Sequence, residues 1–142
     1  MAQNSGLKIK NIFMPSSPQK DGQNRRRSHD LLVQQIVLAL SQTGICRVWE
    51  QPTGAAYRDG ALVRYGVIGS ADISGILVGG KRLEIEVKTG RAVQEPRQVK
   101  FMNMIRAMGG HYFVARSIDD AVKAVYSFAK IGQNVVKDGD HK

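Results

Sequence analysis

Between Leu83 and Lys88 apolar and charged residues alternate without a break, and this alternation restricts the fold more than any other feature of the chain. Successive strand residues point to opposite faces. Leu83, Ile85 and Val87 therefore share a face suited to a core, while Glu84, Glu86 and Lys88 share the other. Upstream, residues 71–78 form a second, mostly apolar segment that contains Asp72, and Gly79-Gly80 between the two segments is a turn signal. The sequence predicts an antiparallel hairpin that brings Asp72 close to Glu86.

Two carboxylates so placed suit a hard divalent cation, Mg2+ or Mn2+, which takes one or two carboxylates together with water and a phosphate oxygen. Lys88, two residues along the same face as Glu86, places an ammonium where it can support an attacking water or offset charge building on a phosphate. The competing reading makes Glu84, Glu86 and Lys88 the solvated face of an edge strand and Asp72 an ordinary turn residue. That reading gives no role to Thr89-Gly90 or to Gln98.

Asp72 followed by Glu86-Val87-Lys88 resembles the D…(E/D)-x-K signature of the PD-(D/E)XK nucleases. Lys88-Thr89-Gly90, Gln98 opening a helix, and the Gly-Gly-x-Tyr-x-Val-Ala-Arg run at 109–116 are similar to the VRR-Nuc branch, the virus-type replication-repair nucleases. The resemblance spans residues 28–125. It implies a restriction-endonuclease-like core and hydrolysis of DNA phosphodiesters by in-line attack of water. By the same resemblance Asp72, Glu86 and the Val87 backbone carbonyl hold Mg2+ or Mn2+, Lys88 positions or activates water, and Gln98 orients the site. Branched duplexes cut on two strands are the implied substrates, and a homodimer would supply both cutting sites. The sequence departs from the family in two places. Ala71-Asp72 stands where the family has Pro-Asp, and no glutamate opens the first helix, where the nearest candidates are Asp30 and Gln34.

Twenty-one basic residues against twelve acidic ones give a net charge of +9, which suits a polyanionic partner such as nucleic acid. No run of apolar residues is long enough to span a membrane and the N-terminus has no apolar h-region, so a soluble intracellular protein is expected. The single cysteine, Cys46, forms no intramolecular disulfide, has no zinc-type spacing to a histidine, and reads as a small core residue.

Residues 1–27 carry six basic side chains and one acid, end in Arg25-Arg26-Arg27, and lack helical or strand periodicity. They read as a mobile basic tail, either a DNA-contacting arm or a solubilising leader. Residues 28–132 read as the nuclease-like domain and 133–142 as a second tail. Leu32, Val33, Ile36, Val37 and Leu40 predict a first helix over 28–42 with Ser28 as its cap. Asp30 in its first turn either complements the helix dipole or supplies the missing metal-site acid.

A strand is expected over 45–51, with Trp49 in the core, and a loop or poorly ordered strand over 53–69. In that loop Arg58 and Arg64, interleaved with Tyr57 and Tyr65, suit contact with a nucleic-acid backbone. Pro96 predicts a helix to about Met108, with Phe101, Met102, Ile105 and Met108 on its apolar face and Gln98 at the end nearest Lys88. A strand over 111–116 and a helix from Ser117 to about Lys130 complete an α/β domain, a mixed central sheet flanked by helices. A non-catalytic nucleic-acid-binding module on the same fold is the alternative function, and a subunit active only with a partner is a third.

Overall fold

The structure, a computed structural model, describes residues 18–137. Helix α1 (Pro18–Ser41) leads into β1 (Cys46–Glu50), β2 (Gly54–Arg58), β3 (Ala61–Tyr65), β4 (Ile73–Leu77) and β5 (Arg82–Val87). Helix α2 (Pro96–Ala107), β6 (His111–Ala115) and α3 (Ile118–Lys137) follow. Four strands form a mixed sheet in the order β1-β4-β5-β6, the first two pairings antiparallel and the last parallel. Helices flank it, as the alternation of apolar segments requires.

The hairpin expected around Gly79-Gly80 is present. Ile73 pairs with Ile85 and Ser74 with Glu84, and both glycines take the positive φ that the reversal needs. On one face of the sheet Ile73, Leu83, Ile85 and Val87 are buried with Val33, Ile36 and Leu40 of α1 and Ala121 and Val125 of α3. Each such aliphatic side chain contributes about 1.5–3 kcal/mol on burial. Cys46 belongs to this core, as expected. Helix α2 covers part of the opposite face through Ile105, which packs with Ala71 and Tyr112.

Several boundaries differ from the sequence reading. Helix α1 starts at Pro18, so residues 18–27 extend the first helix, and Ser28 is no cap but donates its hydroxyl to the Asn24 carbonyl one turn back. This segment is exposed throughout its described side chains, and a solvated helix has no apolar stripe to reveal it. The remainder of the expected basic tail, residues 1–17, lies outside the described residues. Helix α3 continues to Lys137, because one interior glycine, Gly132, costs a helix only about 1 kcal/mol. The last five residues of the expected C-terminal tail, 138–142, also lie outside.

The 53–69 segment is an ordered hairpin of β2 and β3, in which Arg58 pairs with Ala61 across Asp59-Gly60. Both turn residues have positive φ, the geometry of a two-residue I′ turn that Asp-Gly favours. Trp49 is 39 % exposed and is not a core residue. Strand β1 is an edge strand that buries Cys46 and Val48 on the α1 side, while α2 sits over β6 and leaves the Trp49 side of β1 open. Met108, expected on the buried face of α2, caps that helix and is exposed.

Candidate active site

Asp72 stands immediately before β4, where its carbonyl accepts the Gln51 amide at 2.7 Å and continues the β1–β4 ladder. Its side chain turns to β5, and Oδ2 accepts the backbone N–H of Val87 at 2.8 Å. The Ile73–Ile85 register sets Asp72 across from Glu86. The approach predicted from the sequence is therefore made, with the first carboxylate tied to the strand that carries the second.

Glu86 is 2 % exposed and Glu84 is fully buried, which rules out a solvated edge strand. The two carboxylates are satisfied differently. Glu84 accepts Ser74 Oγ at 2.9 Å and Arg82 Nε at 2.6 Å, a closed set that anchors the middle of the hairpin. Glu86 Oε1 pairs with Lys88 Nζ at 2.7 Å and accepts Gln98 Nε2 at 2.5 Å, whereas Oε2 is buried with no partner among the described residues. Burial pushes the Glu86 carboxyl above its ordinary 4.5. The Lys88 hydrogen bond opposes this rise, the Asp72 charge adds to it, and the Lys88 charge and the Gln98 hydrogen bond also oppose it.

Gln98 fills two roles. It is the third residue of α2, and its Oε1 accepts the Glu95 amide at 2.8 Å, satisfying a donor at the helix start. The same oxygen accepts Lys88 Nζ at 3.0 Å while the amide nitrogen donates to Glu86. The start of α2 and the end of β5 are thus locked together through one side chain. Gly69, in the loop before Asp72, makes this possible: it has φ +79, and a Cβ there would stand 2.5 Å from the Arg97 carbonyl of α2.

The side chain that the sequence reading missed is His29. Its Nε2 lies 3.4 Å from Asp72 Oδ2 and 3.2 Å from the Val87 carbonyl oxygen, and its Nδ1 lies 3.3 Å from Asp30 Oδ1. Burial lowers its pKa, but the Asp72 charge, the Asp30 hydrogen bond, the Val87 carbonyl and the Asp72 hydrogen bond outweigh that and leave it raised above 6.5. The signal was present: His29 continues the buried α1 stripe of Val33, Ile36 and Leu40 at helical spacing. Asp30 is exposed, and its Oδ1 lies 3.3 Å from His29 Nδ1. Gln34 is exposed on α1.

Among the described residues no three His, Cys, Asp or Glu side chains are gathered in metal-holding geometry, since Glu86 is turned toward Lys88 and Gln98. Two observations nonetheless fit a divalent cation at this point. Glu86 Oε2 is a buried acceptor with nothing to accept from, and the neighbouring Asp72 charge opposes ionisation of the same carboxyl. A cation beside both relieves both.

Beside the site a cleft of about 490 Å³ runs between the root of the β2–β3 hairpin and the start of α2, lined by Arg64, Tyr65, Ser70, Arg97 and Gln98 among others. Arg58 lies further out on the hairpin, and Arg25, Arg26 and Arg27 sit on the solvated first turns of α1; all are exposed. No helix among the described residues is long and apolar enough to cross a membrane. No protein-family model matches the chain, and no curated protein matches it.

Proposed function

We propose that the chain is a divalent-metal-dependent phosphodiesterase, with Asp72, Glu86 and the Val87 carbonyl as the groups that hold Mg2+ or Mn2+. Within that class the reading is a VRR-Nuc-type DNA endonuclease on a restriction-endonuclease-like core, selective for DNA structure and acting in replication, repair or recombination. One observation carries it: a buried Glu86 beside the half-buried Asp72, bridged to Lys88 and Gln98, with its second oxygen lacking a partner among the described residues. A stability role alone leaves that oxygen unexplained, because a buried acceptor without a donor costs about 1–3 kcal/mol.

An ion held by Asp72, Glu86 and the Val87 carbonyl would supply Lewis-acid polarisation of the phosphoryl oxygen and would lower the pKa of a water. Lys88 carries a fixed positive charge into a largely buried site, where its ammonium holds the water or offsets charge on the equatorial phosphate oxygens as the bond to the leaving oxygen lengthens. Gln98 keeps that ammonium and Glu86 in register. The cleft beside Gln98 takes the strand that bears the scissile phosphate, with Arg58, Arg64 and the α1 arginines on phosphates and the exposed tyrosines on bases. Pairing of two copies about a two-fold axis would cut both strands of a branched duplex.

The test is cleavage of linear and branched DNA by the purified chain in Mg2+ and in Mn2+, with chelator as control. Cutting that needs the ion and is lost in Lys88→Ala supports the reading. DNA bound but left intact in both ions points to the second reading, a binding module on the same fold, which the exposure of Asp30 favours. Sedimentation that finds only monomer while junction cleavage is intact removes the dimer.

A further inference from the structure

His29 Nε2 stands within 3.4 Å of Asp72 Oδ2 and 3.2 Å of the Val87 carbonyl oxygen, two of the three groups assigned above to the metal. Those two oxygens come from separate strands, and the imidazole reaches them from a helix on the far side of the sheet. Its other nitrogen, Nδ1, faces the Asp30 carboxylate at 3.3 Å. A carboxylate on the outer ring nitrogen is the arrangement that fixes the tautomer and orientation of a metal-ligating histidine and raises its basicity. Two positions flank His29 on the helix surface: Arg25, four residues earlier, is exposed, and Val33, four residues later, is buried in the core. On this face of the helix, His29 is the side chain whose donor atom meets the site.

We propose that His29 is a ligand of the bound cation through Nε2, with Asp30 as its orienting partner, and that the imidazole makes the site prefer Mn2+ and related transition ions to Mg2+. The proposal rests on the metal-dependent reading of the site. An all-oxygen set suits Mg2+, whereas a neutral imidazole nitrogen binds first-row transition ions more strongly. The helix thus contributes to the ion without the acid sought at Asp30 or Gln34.

Pulsed electron paramagnetic resonance on the full chain loaded with Mn2+ reads the ligand directly, since a directly bound imidazole nitrogen modulates the electron spin echo. The expected result is nitrogen modulation in the wild type and in His111→Gln, and its loss in His29→Gln with Mn2+ still held by the carboxylates. By calorimetry, His29→Gln should weaken Mn2+ binding about tenfold or more and Mg2+ binding much less, and Asp30→Asn should weaken Mn2+ by roughly ten- to a hundredfold. Mn2+ bound to the wild type with no nitrogen modulation overturns the ligand assignment and leaves the metal-dependent reading standing. A wild-type chain that binds neither Mn2+ nor Mg2+ in the presence of DNA overturns both. Equal losses for the two ions in His29→Gln would reduce His29 to a packing residue.

Discussion

Asp72 Oδ2 accepts the Val87 amide at 2.8 Å, so the first carboxylate of the site is fixed by the backbone of the strand that carries the second. A hydrogen bond donated by a backbone N–H to a charged acceptor is worth roughly twice a neutral one. It holds Asp72 at the sheet end whether or not a cation is present. The loop that delivers Asp72 is pinned at its other end by the contact of Gly69 with the Arg97 carbonyl. Gly69→Ala should therefore disturb both the loop and the start of α2. A loss of about 1 kcal/mol or more in urea unfolding is expected, since a positive φ and a backbone clash act together.

Gln98 joins a helix start to the site, and its substitutions should separate those functions. Gln98→Ala removes the acceptor for the Glu95 amide and the Lys88 ammonium, and the donor to Glu86. Stability should fall by about 1 kcal/mol from the lost helix-start bond, and cleavage should fall much further as Lys88 and Glu86 lose their common partner. Gln98→Glu restores an acceptor for the helix start and Lys88 but sets a third acid beside Glu86. It should recover most of the stability and little of the cleavage. Recovery of both would make Gln98 a cap and nothing more.

The two histidines of the folded domain should act on stability in opposite directions with pH. His111 stacks on Phe128 at 4.1 Å, and burial followed by the Lys81 charge lowers its pKa below 6.5. The unfolded chain then binds the proton more readily, so the contribution of His111 is full above about pH 6.5 and is lost as pH falls through its depressed folded value. His29, with a raised pKa, contributes fully below 6.5 and loses that share as pH rises through its folded value. His111→Gln should remove the acid-side loss and leave the rise from His29. Urea unfolding between pH 8 and about pH 5 reads the difference, and an unchanged pH slope would contradict the assignment.

The site hairpin was legible because its two signals are local: strict alternation in residues 83–88 and a Gly-Gly turn before it. Asp72 reaches the β5 backbone opposite Glu86, and Glu86 and Lys88 share a face, as those signals predicted, while Gln98 joins them from the helix that Pro96 opens. The burial of the shared face was not legible. Glu84 and Glu86 are both buried, because the sheet is covered on both sides and Arg82 and Ser74 neutralise Glu84 locally, which alternation alone cannot reveal. His29 escaped notice for a different reason: its partners Val87 and Asp72 are far away in sequence, and only the packing of α1 on the sheet brings them together. The β2–β3 hairpin was obscured because it buries nothing and so shows no apolar face. Its Asp-Gly turn was the readable clue.

If the exposed basic residues bind phosphates, their removal should appear in the salt dependence of DNA affinity before it appears in catalysis. Arg64→Ala should weaken binding and reduce the slope of log affinity against log salt by about one. Replacing Arg25, Arg26 and Arg27 together should reduce it by up to about three, and deleting residues 1–27 by up to about six. Tyr65→Ala, at the cleft wall, should cost about 1–3 kcal/mol on single-stranded DNA if the ring stacks on a base. Trp49, the only tryptophan and an exposed one, provides an intrinsic fluorescence signal for these titrations. Unchanged salt slopes in all the arginine variants would place the DNA path elsewhere.

The sharpest separation of binding from chemistry comes from Asp72 and Lys88. Asp72→Asn keeps the shape of the side chain, and its amide oxygen can still accept the Val87 N–H, but one of the charges proposed to hold the cation is gone. Cleavage at ordinary Mg2+ concentrations should fall by orders of magnitude, while DNA binding without metal should hold or strengthen because a charge that repels the phosphate has been removed. Lys88→Ala leaves both carboxylates, so the cation should still bind. The ammonium proposed to support the water or the developing phosphate charge is lost, and on that reading the chemical step should fail even at saturating metal. Calorimetry of metal binding and single-turnover cleavage distinguish the two variants: the first loses the ion, the second keeps it and does not cut. Lys88→Ala also frees Glu86 Oε1 of its cationic partner Lys88, so an ion that binds this variant more tightly than the wild type would show that Lys88 and the cation compete for the same carboxylate. Cleavage by Lys88→Ala within about threefold of wild type, a difference of under 1 kcal/mol in barrier, would remove Lys88 from the chemistry and leave the binding-module reading.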